Sequence, residues 1–220
     1  MITDADLAVL AEDSYRANAR WRGRSPWNED VHVCAAERDG TIVAVFRGTT
    51  LRGLEGIEDV LRDLSAAPRH AELFPAIGLC HGGFLAGVEA VAQDMMADLR
   101  GARVILAGHS LGGAMALIFG AMLIAAGRTP AAIVGFGAPR TGFGKLRHIL
   151  RAVPIVRCYR NGQDPIPALP WWLPWWPYRQ PSALTAIGAP GPIPIGDHHI
   201  ASYRASLQGA PAGVVQAAAI

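Results

Sequence analysis

The 220-residue sequence predicts an α/β protein: a mostly parallel central sheet with helices on both faces. Three observations carry this expectation. Short β-branched runs, RVILAG (103–108), AAIVGF (131–136) and PIVRCYRN (154–161), alternate with segments of helical periodicity. Two further strands, VHVCAAE and TIVAVF, are joined by Arg38-Asp39-Gly40, a hairpin signal that puts an antiparallel portion at one edge. Between RVILAG and an apolar helix stands Gly108-His109-Ser110-Leu111-Gly112, the G-x-S-x-G spacing of a sharp strand-to-helix turn.

The remaining elements follow along the chain. Thr3 or Asp4 caps a helix from residue 3 to about 20, with Leu7, Leu10, Ser14 and Ala17 on one face. A polar, Gly-containing stretch after Gly48 holds a short helical segment, IEDVLRDL. Phe84, Val88, Val91, Met95 and Leu99 line one face of an amphipathic helix over 84–99. Residues 111–126 form a buried helix, GKLRHIL a short one and HIASYRASL the last. SALTAIG and PIPIG read as a terminal hairpin. No internal repeat is present, and one domain over 1–220 accounts for the length.

Composition narrows the function. Twenty Lys and Arg against eighteen Asp and Glu, with no basic run, argue against a nucleic-acid partner. Cys34, Cys80 and Cys158 are an odd set without C-x-x-C spacing, so neither a disulfide framework nor a metal site is indicated. The opening MITDADLAVL has early acids and no basic n-region, which does not read as a signal peptide. Thiols and opening together predict a cytoplasmic protein, or one exported by a signal-peptide-independent route. The uncharged stretch 104–127 is long enough to span a bilayer, but its glycines, His109 and Ser110 divide it into strand, turn and helix.

The chemistry centres on Ser110. On a strained turn its oxygen is exposed, a β-carbon at 108 or 112 would collide with neighbouring backbone, and the Leu111 N–H is free to donate to an oxyanion. A serine is a poor nucleophile near neutral pH and needs a base, itself oriented by a carboxylate. After Ser110 the acids are Asp164 and Asp197, and the histidines His148, His198 and His199. Asp164 follows a strand end, where catalytic loops gather; Asp197 reads as a local orienting or capping residue. His109 reads as a structural neighbour of the serine, and His81 as an interior hydrogen-bonding residue. No cofactor is implied.

Six ordered motifs, FRGT (46–49), HGGF (81–84), GHSLGG (108–113), GAPR (137–140), RNGQDPIPALP (160–170) and DHHIASY (197–203), resemble the class 3 lipases over roughly residues 1–207. The resemblance implies an α/β-hydrolase fold and a serine ester hydrolase acting on lipid or other apolar acyl esters. It implies Ser110 as nucleophile, Asp164 as acid and His198 as base, five residues before Tyr203, with His199 as rival. It also implies Thr49 as oxyanion partner of Leu111. The family's D-W-x-x-D-L pattern is EDVLRDL here, so the lid region, expected within 50–70 with Leu51, Leu54, Ile57, Val60, Leu61 and Leu64 on one face, departs from the pattern.

The Trp- and Pro-rich excursion, 165–181, holds Trp171, Trp172, Trp175 and Trp176. Four such rings carry about 600–1,000 Å², roughly 15–25 kcal/mol of transfer free energy as an upper bound. They are expected as an acyl-chain wall or lipid-interface rim near the mouth, against a reading as core or homo-oligomer contact. Rival activities are phospholipase A1, a short-chain carboxylesterase, acyl transfer and an exported or phage-borne lipase effector. A rival of another class is a non-catalytic lipid- or protein-binding module.

Overall fold

The computed structural model of the chain describes residues 2–25, 28–48, 67–170 and 177–209. In chain order the strands are β1 (Trp21–Ser25), β2 (Asn28–Arg38), β3 (Thr41–Phe46), β4 (Pro68–His70), β5 (Leu79–His81), β6 (Arg103–His109), β7 (Ala132–Phe136), β8 (Val156–Asn161) and β9 (Leu184–Ile187). The helices are α1 (Asp4–Asp13), α2 (Gly82–Asp98), α3 (Leu111–Ala125), α4 (Gly144–Leu150) and α5 (Ile200–Gly209). The main sheet runs β1-β2-β3-β6-β7-β8-β9. Its first three strands are antiparallel neighbours; from β3 onward all pairs are parallel.

The β2–β3 hairpin turns through Asp39 (φ 51°) and Gly40 (φ 69°). Two successive positive φ values are what a two-residue turn needs to match strand twist. Strand alternation then supplies two cores. Ala44, Phe46, Val104, Leu106 and Ile133 face α2, α3 and α4. Val43, Val45, Ile105, Ala107, Val134 and Phe136 face the opposite way, toward Leu7 of α1 and Leu207 of α5. Helices cover both faces, as the sequence predicts. Every βα crossover returns the chain so that β3, β6, β7, β8 and β9 end at the same edge, and the loops after them meet there.

Three local expectations differ from the structure. The first helix stops at Asp13 instead of about 20; the chain turns through residues 14–20 and enters β1, a strand the sequence reading did not identify. Long-range contacts decide this. The Tyr15 hydroxyl is bound by His109, and Trp21, only 4% exposed, donates its indole N–H to Asp98. Gly23 then lets β1 approach α2, because a β-carbon there would stand 2.5 Å from the Ala90 carbonyl oxygen. Second, SALTAIG and PIPIG do not pair. Leu184–Ile187 joins β8 in parallel, and Pro194–His198 is a 3-10 turn. Pro192 and Pro194 lack the N–H groups a ladder requires. Third, β4 and β5 form a small separate antiparallel sheet. At the start of α1 the Thr3 hydroxyl accepts from the Asp6 N–H while the Asp6 carboxylate returns to Thr3, a complete capping box. No described helix is long and apolar enough to cross a membrane.

Candidate functional site

Ser110 stands between the end of β6 and the start of α3 with φ 56° and ψ −128°. A non-glycine residue in that region costs about 1–3 kcal/mol and persists only where its surroundings over-determine it. Here the Ser110 N–H donates to the Phe136 carbonyl (2.8 Å), and its carbonyl accepts from Gly113 and Ala114. The glycines make the turn possible. A β-carbon on Gly108 would lie 2.4 Å from Gly112 backbone, and one on Gly112 would lie 2.1 Å from the Phe46 carbonyl oxygen. The collision expected from the sequence at 108 and 112 is therefore real.

His198 closes the 3-10 turn before α5 and reaches back to this elbow. Its Nε2 is 2.9 Å from Ser110 Oγ and its Nδ1 is 2.8 Å from Asp164 Oδ2. Because a carboxylate only accepts, Nδ1 carries the proton, which leaves the Nε2 lone pair facing the serine hydroxyl. All three groups are buried. Asp164 is fixed by two more donors: the Ile166 N–H on Oδ1 (2.9 Å) and the Tyr203 hydroxyl on Oδ2. Burial, and after it the Asp164 charge, pushes the Tyr203 hydroxyl well above its ordinary pKa, so it remains a donor. Gly137 (φ 63°) leaves room for the pair, since a β-carbon there would stand 2.9 Å from Asp164 Oδ2 and 3.0 Å from the His198 ring.

The alternatives left open by the sequence sort by position. His199 is exposed, whereas His198 meets Ser110. Asp197 does not join the serine. Its carboxylate accepts from the Gln163 and Gly191 N–H groups, and its carbonyl from the Asn161 amide, tying the loop after β8 to the loop carrying His198. His109 binds the Tyr15 hydroxyl through Nδ1 (2.8 Å) and the His198 carbonyl through Nε2 (2.6 Å). Burial first, and the neighbouring His198 second, hold its pKa well below the usual histidine range. His81 is buried, its ring stacked on Phe84 at 4.0 Å. His148 is exposed on α4. The three thiols are buried and free; burial raises Cys80 to about 12 and Cys158 to about 11. Among the described residues, no cluster of His, Cys, Asp and Glu is placed to hold a metal ion.

Leu111 is the first residue of α3, where an amide has no intrahelical acceptor and the helix dipole is positive. Thr49, Trp171, Trp172, Trp175, Trp176 and nearly all of the expected lid lie outside the described residues. The flanks of the Trp segment are described. The Arg140 N–H binds the Leu169 carbonyl (2.8 Å), and the Arg179 N–H binds the Gly142 carbonyl (2.8 Å). Gln180 donates from one amide nitrogen to the Ala138 and Pro167 carbonyls.

Sequence reasoning located Ser110, Asp164 and His198 but not the supports around them. Gly137 was visible only as part of GAPR, Tyr203 only as a spacing landmark, and Tyr15 not at all. The signal for Tyr203 was present: it falls on the inner face of the last helix, about one turn from Leu207.

A parallel sheet carrying a serine on a strained strand-to-helix elbow, with histidine and acid on later loops of the same edge, defines an α/β-hydrolase. A profile for Lipase (class 3) matches residues 43–173. The chain belongs to the class 3 lipase family. It is 28% identical to Lipase A of Sodiomyces alcalophilus over 59% of its own length and 39% of that protein, so it spans well under half the length of the curated relative it matches. Among solved structures it resembles the Lip2 lipase of Yarrowia lipolytica (TM-score 0.64, 18% identity, 88% of this chain and 80% of that one). It also resembles the Rhizomucor miehei triacylglyceride lipase (TM-score 0.62, 21% identity, 83% and 77%).

Proposed function

We propose that the chain is a serine ester hydrolase that cleaves lipid or other apolar acyl esters. The observation that carries this reading is the continuous line from Ser110 Oγ through the His198 ring to Asp164, at 2.9 and 2.8 Å. In this reading the Ser110 oxygen attacks the ester carbonyl while His198 Nε2 takes its proton. Asp164 keeps the imidazole in the required tautomer and stabilises its positive charge. The oxyanion falls to the Leu111 N–H at the α3 N-terminus, with Thr49 as second donor. One such donor contributes about 2.7–4 kcal/mol to transition-state stabilisation. His198 returns the proton to the leaving alcohol, and water, activated by the same base, releases the acyl group from Ser110.

The apolar acyl preference draws support from family membership and from the Trp-rich segment. Both of its flanks are tied to the loop after β7, at the edge where Ser110 lies. A rim of tryptophans there would serve long acyl chains or a lipid surface.

The test is hydrolysis of esters from short to long acyl chains, through each ester's solubility limit, with Ser110→Ala as control. A rate that rises when substrate forms an interface, and vanishes in Ser110→Ala, is the expected result. Saturation below that limit with short-chain preference would make the protein a soluble esterase. Activity that survives Ser110→Ala would overturn the mechanism. Absence of any turnover, with no labelling of Ser110 by a fluorophosphonate, would leave a lipid- or protein-binding module instead.

A further inference from the structure

We infer that Tyr15 and His109 are positioning residues that clamp the backbone of His198 to the elbow carrying Ser110. The inference rests on the serine-hydrolase reading above.

The hydrogen-bond directions are set by chemistry. The His198 carbonyl oxygen can only accept, so His109 Nε2 carries a proton. A neutral imidazole has one N–H, so Nδ1 accepts, and the Tyr15 hydroxyl donates to it at 2.8 Å. The chain therefore runs one way: Tyr15 O–H to His109 Nδ1, then His109 Nε2–H to the His198 carbonyl. Each member leaves the next with only one tautomer that satisfies all partners, and in a buried site an unsatisfied group is costly.

The placement gives this chain its consequence. His109 is peptide-bonded to Ser110, so its grip on the His198 carbonyl fixes base and nucleophile to each other with one side chain between them. The two imidazole rings lie 4.7 Å apart, close enough for the His109 ring to limit tilting of the His198 ring. Tyr15 adds a third loop. The Gly48 backbone lies against its hydroxyl, so closely that a β-carbon on Gly48 would stand 2.6 Å from it. Gly48 directly precedes Thr49. Tyr15, half-buried, and His109, buried, thus join the loop after β3, the elbow and the base-carrying loop in one cluster. An uncharged residue at 109 also suits the chemistry: His198 becomes an imidazolium during acyl transfer, and a second cation against it would oppose that step.

The test compares Tyr15→Phe, His109→Leu, His109→Gln and the double variant Tyr15→Phe/His109→Leu. Measurements are the rate of acylation by a fluorophosphonate, kcat, KM and the melting temperature. A displacement of a base by about 1 Å costs up to roughly 100-fold. The expected result is a fall in acylation rate and kcat of about 10- to 100-fold for Tyr15→Phe and His109→Leu, with KM within about twofold. The double variant should lose no more than His109→Leu alone, because the two residues act in series. His109→Gln, which keeps an N–H donor, should recover part of the loss. Folded variants that acylate at the wild-type rate, or losses that simply add, overturn the clamp. If His109→Leu does not fold, Tyr15→Phe, which removes one oxygen, decides by the same acylation rate. A wild-type protein that the probe never labels overturns the serine-hydrolase reading and the clamp with it. A labelled wild type with an equally fast Tyr15→Phe overturns the clamp alone.

Discussion

Replacing Gly137 by alanine adds one methyl group at the most crowded point of the site. Its φ of 63° lies in the left-handed region, where a side chain costs about 1–2 kcal/mol. The new β-carbon would also sit 2.9 Å from Asp164 Oδ2 and 3.0 Å from His198 Cε1 and Nδ1. Neither neighbour can yield cheaply. Asp164 holds three hydrogen bonds and is fully buried; His198 is held at both ring nitrogens. Overpacking of this kind typically costs about 1–3 kcal/mol. The summed destabilisation is about 2–5 kcal/mol, less than the roughly 5–15 kcal/mol that holds a domain folded. Gly137→Ala should therefore fold at 25 °C while its histidine and carboxylate stand apart by a few tenths of an ångström. Urea unfolding gives the stability change, and turnover of a soluble short-chain ester gives kcat/KM, expected to fall about 10- to 100-fold. A variant with wild-type unfolding midpoint and kcat/KM within about twofold would refute the claim that Gly137 exists to make room for the pair.

Tyr203→Phe removes one donor from Asp164 while keeping the ring, which is fully buried in the core. A hydrogen bond to a charged group contributes about 1.5–3 kcal/mol, so the urea midpoint should drop accordingly, and an unchanged midpoint would count against Tyr203 as a support for the acid. The thiols give an alkaline prediction. Cys158 and Cys80 titrate at about 11 and about 12 in the folded chain, against an ordinary value of 9.0. Below pH 9 folded and unfolded forms both hold these protons. From 9 to about 11 for Cys158, and from 9 to about 12 for Cys80, the unfolded form releases the proton more readily than the folded form, so stability falls as pH rises through those windows. Urea midpoints from pH 7 to pH 11 should show the fall, with a shallower slope in Cys158→Ala; slopes that do not differ would refute the contribution of that thiol.

What was legible in the sequence was whatever depends on neighbours in the chain. The elbow could be read because Gly108 and Gly112 answer a local steric demand within a few residues of Ser110. The β2–β3 hairpin could be read because Asp39 and Gly40 alone set its turn. The fold class followed from alternating strands and helices. Elements settled by distant partners were not legible. The first helix was extended to about residue 20 because Ala17 keeps the helical spacing, whereas Tyr15 answers to His109, 94 residues away. Strand β1 was missed because Trp-Arg-Gly-Arg-Ser shows little strand character; Trp21 is buried by an edge and a helix that local sequence does not announce. The false terminal hairpin arose from two short apolar runs, one of which pairs instead with β8. In the site, the reacting groups are chemical types with ordered spacing and could be found. Their supports, Gly137, Tyr15 and Asp197, are ordinary residues whose roles exist only once the loops have met.

The first helix has a consequence for how the protein comes into being. Helix α1 packs against α5, Asp4 is held by Arg157 and Tyr159, and Tyr15 is held by His109. Asp4 and Tyr15 thus wait for partners synthesised 153 and 94 residues later. At roughly 5–20 residues per second, about 4–18 s separate the synthesis of Ser110 from that of His198, 88 residues later. Throughout that interval Ser110 lacks the His198 ring beside it. The line from Ser110 through His198 to Asp164 therefore closes only after the loop before α5 has been made, whatever fold the earlier residues have reached.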